Sequence, residues 1–348
     1  MPTFDNFSCP LPLQPGERVI LGHGSGGRLS RDLLERVILP ALGNSAPRTL
    51  DDSAVVETGA GRLAFTTDSY VVRPLFFPGG DIGRLAVCGT VNDLAMVGAE
   101  PIALSIGCIL EEGLPLETLE RILLSAREAA VEAGVFFAAG DTKVVERGKA
   151  DGLFINTSGV GRLPSGAAIT GSGARPGDAV LLSGSVGDHG IAVLSAREGL
   201  GFETDLKSDV APLGGLVAAM LAAGEVHVLR DPTRGGLATT LVEIALQSGV
   251  GVELDERAIP IHGPVRAACE MLGFDPLYVA NEGKLVAFAA EKDAEKILAA
   301  MRAHPCGVEA AIIGRAAEKP HHRVCLRTGI GGTRIVDMLP GEMLPRIC

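Results

Sequence analysis

Between residues 164 and 178 the chain carries Gly166, Gly171, Gly173, Pro176 and Gly177, and this break separates two runs of regular helix and strand alternation. A chain of 348 residues is longer than one hydrophobic core usually supports. Two α/β domains joined at this break are therefore expected. Ahead of it, 62–68 reads as a strand, 81–96 as a helix capped by Asp81, 102–110 as a strand and 116–133 as an amphipathic helix. Strands at 135–139, ending at G-D-T-K, and at 153–160 complete the first run. Beyond the break come a strand at 179–183, a turn at G-S-V-G-D-H-G and helices near 191–197 and 213–223. A helix at 236–247, a strand at 251–254, a helix at 265–272, strands at 277–280 and 285–290, a helix at 294–303 and a strand at 308–314 follow. Residues 323–337, with Gly329, Gly331 and Gly332, read as a hairpin from which a tail departs.

Composition narrows the partners. Hydrophobic residues make up 47%, Gly is abundant at 46, aromatics are scarce at 4% and Trp is absent, which suits glycine-bounded α/β units. The net charge of −11 argues against nucleic acid or an anionic membrane as the main partner. An anionic cofactor such as ATP stays compatible, held through metal ions and backbone N–H groups. Residues 1–7 carry Asp5 and no basic residue ahead of an apolar run, unlike a secretory signal, and no stretch is long and apolar enough to span a membrane. Cys9, Cys88, Cys108, Cys269, Cys306, Cys325 and Cys348 form no C-x-x-C pair, which suits a reducing cytoplasm and no structural zinc. Cys88, Cys108 and Cys269 read as small core residues.

Several clusters carry chemistry. The run G-H-G-S-G-G at 22–27 satisfies G-x-G-x-x-G but lacks a full βαβ unit, and Arg28 stands where a P-loop has lysine. It reads either as a mobile loop whose N–H groups, at Gly24, Gly26 and Gly27, close over phosphates, or as a plain flexible entry loop. Asp51 and Asp52 sit together, Asp68 ends a strand, and Asn92 and Asp93 fall inside an apolar helix where a carboxylate requires a partner. Carboxylates with an Asn at strand ends are ligands that Mg²⁺ prefers, while turn or cap roles remain open for Asp51 and Asp52. Asp141, Thr142 and Lys143 offer a lysine for phosphates, and Arg230-Asp231-Pro232-Thr233-Arg234-Gly235-Gly236 precedes a helix with an ion pair. In Asn281-Glu282-Gly283-Lys284, Glu282 lies between apolar segments. It is either a partly desolvated base or a turn residue in solvent.

The chain ends in Pro345-Arg346-Ile347-Cys348, a thiol on a short tail that begins at Gly341. A frayed terminus explains that ending as simply as a functional thiol does. Prenylation does not, since it requires the cysteine four residues from the end.

D-D-S-A-V-V, T-T-D-S-Y-V-V, V-C-G-T-V-N-D-L-A-M, G-D-T-K-V-V, R-D-P-T-R-G-G-L-A-T, V-A-N-E-G-K and the closing P-R-I-C occur in one order. Together they closely resemble the HypE family of hydrogenase maturation factors, from about Gly22 to Cys348. That family belongs to a superfamily with aminoimidazole ribonucleotide (AIR) synthetase and selenophosphate synthetase. The resemblance implies a two-domain PurM-like, AIR synthetase-like α/β fold: an N-terminal segment at 1–43, an ATP-binding and dimerisation domain at 44–163, a C-terminal domain at 175–320, and a hairpin with a mobile tail at 321–348. It implies a cytoplasmic homodimer with ATP near the dimer cleft.

By the same resemblance, the carbamoyltransferase HypF loads Cys348 with a carboxamide. The protein then dehydrates it with ATP to a thiocyanate, and cyanide passes to iron on a HypC–HypD assembly. Asp51, Asp68, Asp93 and Asp231 would hold Mg²⁺ and ATP phosphates, with Asn92, Asp141, Thr142, Lys143 and Asn281 nearby. Glu282 would be the base, and Lys143 would also take part in catalysis. Selenophosphate synthetase differs in carrying a reactive Cys or selenocysteine with a following Lys in its glycine loop, which residues 22–28 lack. A nucleotide-gated carrier without dehydratase activity and a small-molecule kinase of the superfamily are the rival readings.

Overall fold

The computed structural model describes residues 18–43, 50–59, 61–164, 166, 169–198 and 205–341. Cys9, Pro345, Arg346 and Cys348 lie outside them, and so do the expectations for the tail from residue 342.

The chain enters through α1 (Arg28–Leu33) and α2 (Leu39–Leu42), joined by a wider helical turn (Leu34–Ile38). The first domain then runs β1 (Ala54–Thr58), β2 (Gly61–Tyr70), β3 (Phe76–Phe77), β4 (Gly80–Asp81), α3 (Ile82–Met96), β5 (Glu100–Glu111), α4 (Leu116–Glu132), β6 (Phe136–Val145) and β7 (Leu153–Arg162). Its five-stranded sheet has the order β1-β2-β7-β5-β6, and only β5 and β6 pair in parallel. On β2, buried Ala64, Thr66 and Tyr70 alternate with exposed Phe65, Thr67 and Ser69, the period-2 mark of a sheet covered on one face. Phe65, Ile109 and Phe136 leave the other face open and partly apolar.

The second domain contains β8 (Ala179–Leu182), α5 (Asp188–Glu198), α6 (Gly214–Ala223), β9 (Val226–Arg230), α7 (Gly236–Ser248), β10 (Gly251–Asp255), α8 (Gly263–Leu272), β11 (Val286–Ala289), α9 (Ala294–Arg302), β12 (Ala311–Ala317), β13 (Val324–Arg327) and β14 (Thr333–Val336). Its strand order is β14-β13-β10-β12-β8-β11-β9. Leu237 and Leu241 of α7 pack with Val228, Val252 and Phe288 on one face, while Leu216 and Met220 of α6 and Ile297 of α9 pack with Leu181, Leu229 and Ala287 on the other. Strands β8, β9 and β11 are thus covered on both faces, while β10, β13 and β14 leave the face with Glu253, Arg327 and Ile335 open.

Helix α3 joins the two halves. The Asp81 side chain accepts from the backbone N–H groups of Gly83 and Arg84, so the expected cap is present. The helix packs on α4, β2 and β7 of its own domain and on α6 and β9 of the other. Buried on all sides, it has no polar face to show, which is why its sequence lacks a clear amphipathic stripe. Among the described residues no helix is long and apolar enough to cross a membrane.

Four expectations need correction. The predicted strand at 277–280 is a 3₁₀ turn (Pro276–Tyr278), because Pro276 starts it and the Asp275 carboxylate caps the N–H of Leu277. The strand expected to stop before G-D-T-K continues through it as β6, held by parallel pairing of Gly107 with Asp141 and Ile109 with Lys143. Helix α5 begins inside the predicted turn, at Asp188. The last predicted strand starts later, at Ala311, because residues 305–307 turn with His304 Nδ1 accepting from Cys306 N–H. Within the break, Ile169 and Ala174 are buried against the second domain.

Candidate active site at the domain boundary

Four segments bring carboxylates to the boundary. Residues 50–53 precede β1, Asp68 lies on β2, Asp93 on α3 and Asp231 directly after β9. Strand β9 is fully buried, so it delivers Arg230 and Asp231 to the interior as it ends. Thr66 Oγ1 lies 2.7 Å from Asp93 Oδ2 and 3.0 Å from the Asp52 carbonyl. Arg230 gives Nη1 to Asp52 Oδ1 at 2.8 Å and Nη2 to the Leu50 carbonyl at 3.0 Å and Gln247 Oε1 at 3.2 Å. Asp51 Oδ1 stands 3.8 Å from Arg230 and accepts the Gly171 N–H at 2.9 Å. The linker is thereby tied to the site.

The acids outnumber their cations, and their protonation follows. Burial, then the facing carboxylates of Asp231, Asp52 and Asp68, pushes Asp93 well above the usual carboxylate range. Asp231 is pushed up to about 8 by burial and then by Asp52. Burial also raises Asp68 and Asp52, with Arg234 and Arg230 opposing. Glu282 is raised well above its ordinary value by burial, then by Asp231, Asp209 and Asp68. It is only 4% exposed, and its Oε1 has no hydrogen-bond partner. The desolvated reading of this residue therefore holds over the solvent-exposed turn.

A clustered set of repelling, partly protonated carboxylates fits a divalent cation in charge. Among the described residues, however, no three His, Cys, Asp or Glu side chains converge into a ready metal-binding group. Phosphate oxygens would have to complete any such shell. A cavity of about 490 Å³ adjoins the acids, lined among others by Gly26, Gly27, Arg31, Asp51, Arg230 and Glu243.

Other expected site residues are placed differently. Asn92 is 1% exposed, and its amide is spent on the Ala211 and Glu282 carbonyls and the Leu213 N–H. Asn281 is equally buried, accepting from Gly187 N–H and donating to the Pro232 and Val279 carbonyls. Neither amide is free for a cofactor. In the glycine run, Gly26 N–H donates to Ser30 Oγ and the Gly24 carbonyl accepts from Arg234, so the segment packs on the second domain instead of standing open. Asp141, Thr142 and Lys143 are exposed on β6, with Lys143 Nζ 2.7 Å from Asp141. Three strand positions separate β6 from β2, about 14 Å at ordinary strand spacing. Lys143 does not reach Asp68 within one chain. Asp52, Thr66, Asp209, Arg230, Arg234 and Glu243 are further neighbours outside the expected metal and nucleotide set. The R-D-P-T-R motif was the available signal for the two arginines.

A two-domain α/β chain with an acidic boundary of this kind is an AIR synthase related protein. The family described as AIR synthase related protein, N-terminal domain, matches residues 50–163, and its C-terminal domain matches residues 175–327. Carbamoyl dehydratase HypE of Azotobacter vinelandii is 60% identical over 97% of this chain and 99% of its own length. The crystal structure of a HypE–HypF complex superposes with a TM-score of 0.84 at 50% identity, covering 88% of this chain and 99% of that one. HypE in complex with ATP gives a TM-score of 0.81 at 50% identity, covering 95% and 100%. The chain belongs to the HypE family of hydrogenase maturation proteins.

Proposed function

We propose that this protein uses ATP to dehydrate a carboxamide carried on Cys348 to a thiocyanate, supplying cyanide for the iron of a [NiFe]-hydrogenase. The observation that carries this reading is Glu282, a buried carboxylate with a free oxygen beside an acid cluster, in a chain of the carbamoyl dehydratase family. An amide oxygen leaves poorly. Transfer of the γ-phosphoryl group to that oxygen makes phosphate the leaving group. The S–C(=O)–NH₂ group then loses both N–H protons and its C–O bond, giving S–C≡N, ADP and phosphate.

Glu282, buried with one unpaired carboxyl oxygen, is placed to take an N–H proton. Asp51, Asp68, Asp93 and Asp231 would hold Mg²⁺, which would neutralise phosphate charge. Arg230 fixes the 50–52 segment, and Gly26 and Gly27 wall the adjoining cavity. The ATP complex of a relative supports nucleotide binding, and the HypE–HypF complex supports HypF as the loading partner. A HypC–HypD assembly as acceptor belongs to the same reading. The open sheet face is suited to pair with a second copy, which would bring Lys143 of one chain to the acids of the other.

The test is mass spectrometry of Cys348-carboxamide protein, purified without partners, before and after Mg·ATP. Loss of one water from the C-terminal peptide is expected. An unchanged mass would sink the dehydratase reading and leave a carrier. Turnover of a free substrate surviving truncation before Pro345 would favour the small-molecule kinase.

A further inference from the structure

Glu282 sits in a turn between a 3₁₀ segment and β11, a place with little intrinsic rigidity. Its peptide is nevertheless held on both sides. The Glu282 N–H donates to Asp209 Oδ1 at 3.1 Å, and the Glu282 carbonyl accepts from Asn92 Nδ2 at 3.3 Å. The two partners come from different domains. Asn92 stands on α3, and Asp209 belongs to the 205–213 segment that leads into α6. Asn92 also binds that segment, giving Nδ2 to the Ala211 carbonyl at 3.0 Å and accepting the Leu213 N–H at 2.8 Å. Contact between the turn and the segment is tight enough to exclude any side chain at Gly283, where a Cβ would fall 1.8 Å from the Asp209 carbonyl oxygen. Lys284 Nζ stands 3.4 Å from Asp209 Oδ2, an ion pair without hydrogen-bond geometry that faces the carboxylate from the far side.

We infer that Asn92 and Asp209 are positioning residues for Glu282, fixing its peptide from opposite domains so that its free oxygen is presented at the domain boundary. Asn92 thereby acts on the reaction through Glu282 rather than on nucleotide. The inference rests on the reading of Glu282 as the base. Its physical content is that catalytic groups lose rate steeply when displaced by about 1 Å, while nucleotide binding by separate residues is untouched.

The experiment follows single-turnover conversion of the Cys348 carboxamide at varied ATP in the full-length protein. Asp209→Ala removes the acceptor for the Glu282 N–H. Asp209→Asn keeps one, and both variants lose the charge that faces Lys284. Asp209→Ala should slow the saturated rate about tenfold or more, with the half-saturating ATP concentration changed less than about twofold. Asp209→Asn should recover most of that loss. Asn92→Ala should lower the rate in the same way, and it carries the comparison if Asp209→Ala does not fold. In a Glu282→Gln background neither change should slow the rate further, because positioning then has nothing to position.

A Glu282→Gln protein with wild-type rate would overturn the base reading and this inference with it. A slow Glu282→Gln protein beside unimpaired Asp209→Ala and Asn92→Ala proteins would overturn the inference alone. Equal loss in Asp209→Asn and Asp209→Ala would also overturn it, assigning the effect to the charge facing Lys284.

Discussion

Arg28 and Asp337, 309 residues apart, meet with Nη2 2.8 Å from Oδ2. The same crossing is made by main chain, since the Arg28 N–H donates to the Leu339 carbonyl at 2.9 Å. Leu339 N–H in turn donates to Thr239 Oγ1, and Tyr278 O–H donates to the Asp337 carbonyl. The glycine run therefore ends in a clasp on the root of the C-terminal tail. A sequence motif read for phosphates also has a packing task, which ties residues 26–28 to residues 337–339 over α7.

Gly27→Ala tests that clasp. A Cβ at Gly27 would lie 2.2 Å from the Leu339 carbonyl oxygen, a main-chain atom that cannot swing away. The substitution should cost about 1–3 kcal/mol, as overpacking does, and should raise amide hydrogen exchange in residues 337–341. Arg28→Ala, by contrast, removes an ion pair whose Asp337 side chain is largely exposed, and should cost less than about 1 kcal/mol. Equal effects from the two variants would contradict this account.

Arg230 should be the most stability-critical cation of the site. Its guanidinium holds Asp52, Leu50 and Gln247 from a position only 7% exposed. Arg230→Met would leave Asp52 buried without its partner, a loss of about 3–5 kcal/mol in denaturant unfolding. Arg230→Lys keeps the charge but cannot span three acceptors in one plane, so only part of the stability should return.

Much of this architecture is legible in the sequence. Asp81 announces α3, the spacing of α4 shows its apolar face, and the acidic motifs mark the boundary. Strand β9 is hidden because five fully buried residues, V-H-V-L-R, have no alternation to read. The 3₁₀ turn at 276–278 is mistaken for a strand because short apolar runs look alike whatever their backbone. Asn92 and Asn281 resemble ligands for a related reason. An amide in an apolar setting demands partners, but sequence does not say that they are main-chain groups 119 and 190 residues away for Asn92.

Asp231 should make stability fall as pH rises. Its carboxyl is ordinarily near 3.8 and stands at about 8 in the folded chain, so the folded state binds the extra proton between those values. Its contribution is fully present below the lower value and is lost as pH rises through about 8. Within that window a single group of this kind gives a slope of about 1.4 kcal/mol per pH unit. Asp231→Asn should flatten the dependence, and the wild-type minus variant difference from urea unfolding at pH 5.5 to 8 should decline steadily, with those limits set about the window of the shift. A difference independent of pH would show that Asp231 is ionised in the fold.

Lys143 and Glu282 offer the sharpest view of how sites are assembled. Lys143 lies on β6 and is exposed, three strand positions from Asp68, whereas Glu282 is buried beside the acids of its own chain. If each site draws Lys143 from a second copy, Lys143→Ala and Glu282→Gln should each slow dehydration severely as pure proteins. Mixing and refolding them together should then restore activity, because a hybrid dimer holds one site with both groups intact. Random pairing makes half the dimers hybrids with one working site each, so about a quarter of wild-type activity is expected. Nucleotide binding measured in the same samples separates lost chemistry from lost structure. Failure of the mixture to regain activity, with hybrids verified by tagged pull-down, would place Lys143 and Glu282 in the service of one chain's own site or show that Lys143 takes no part.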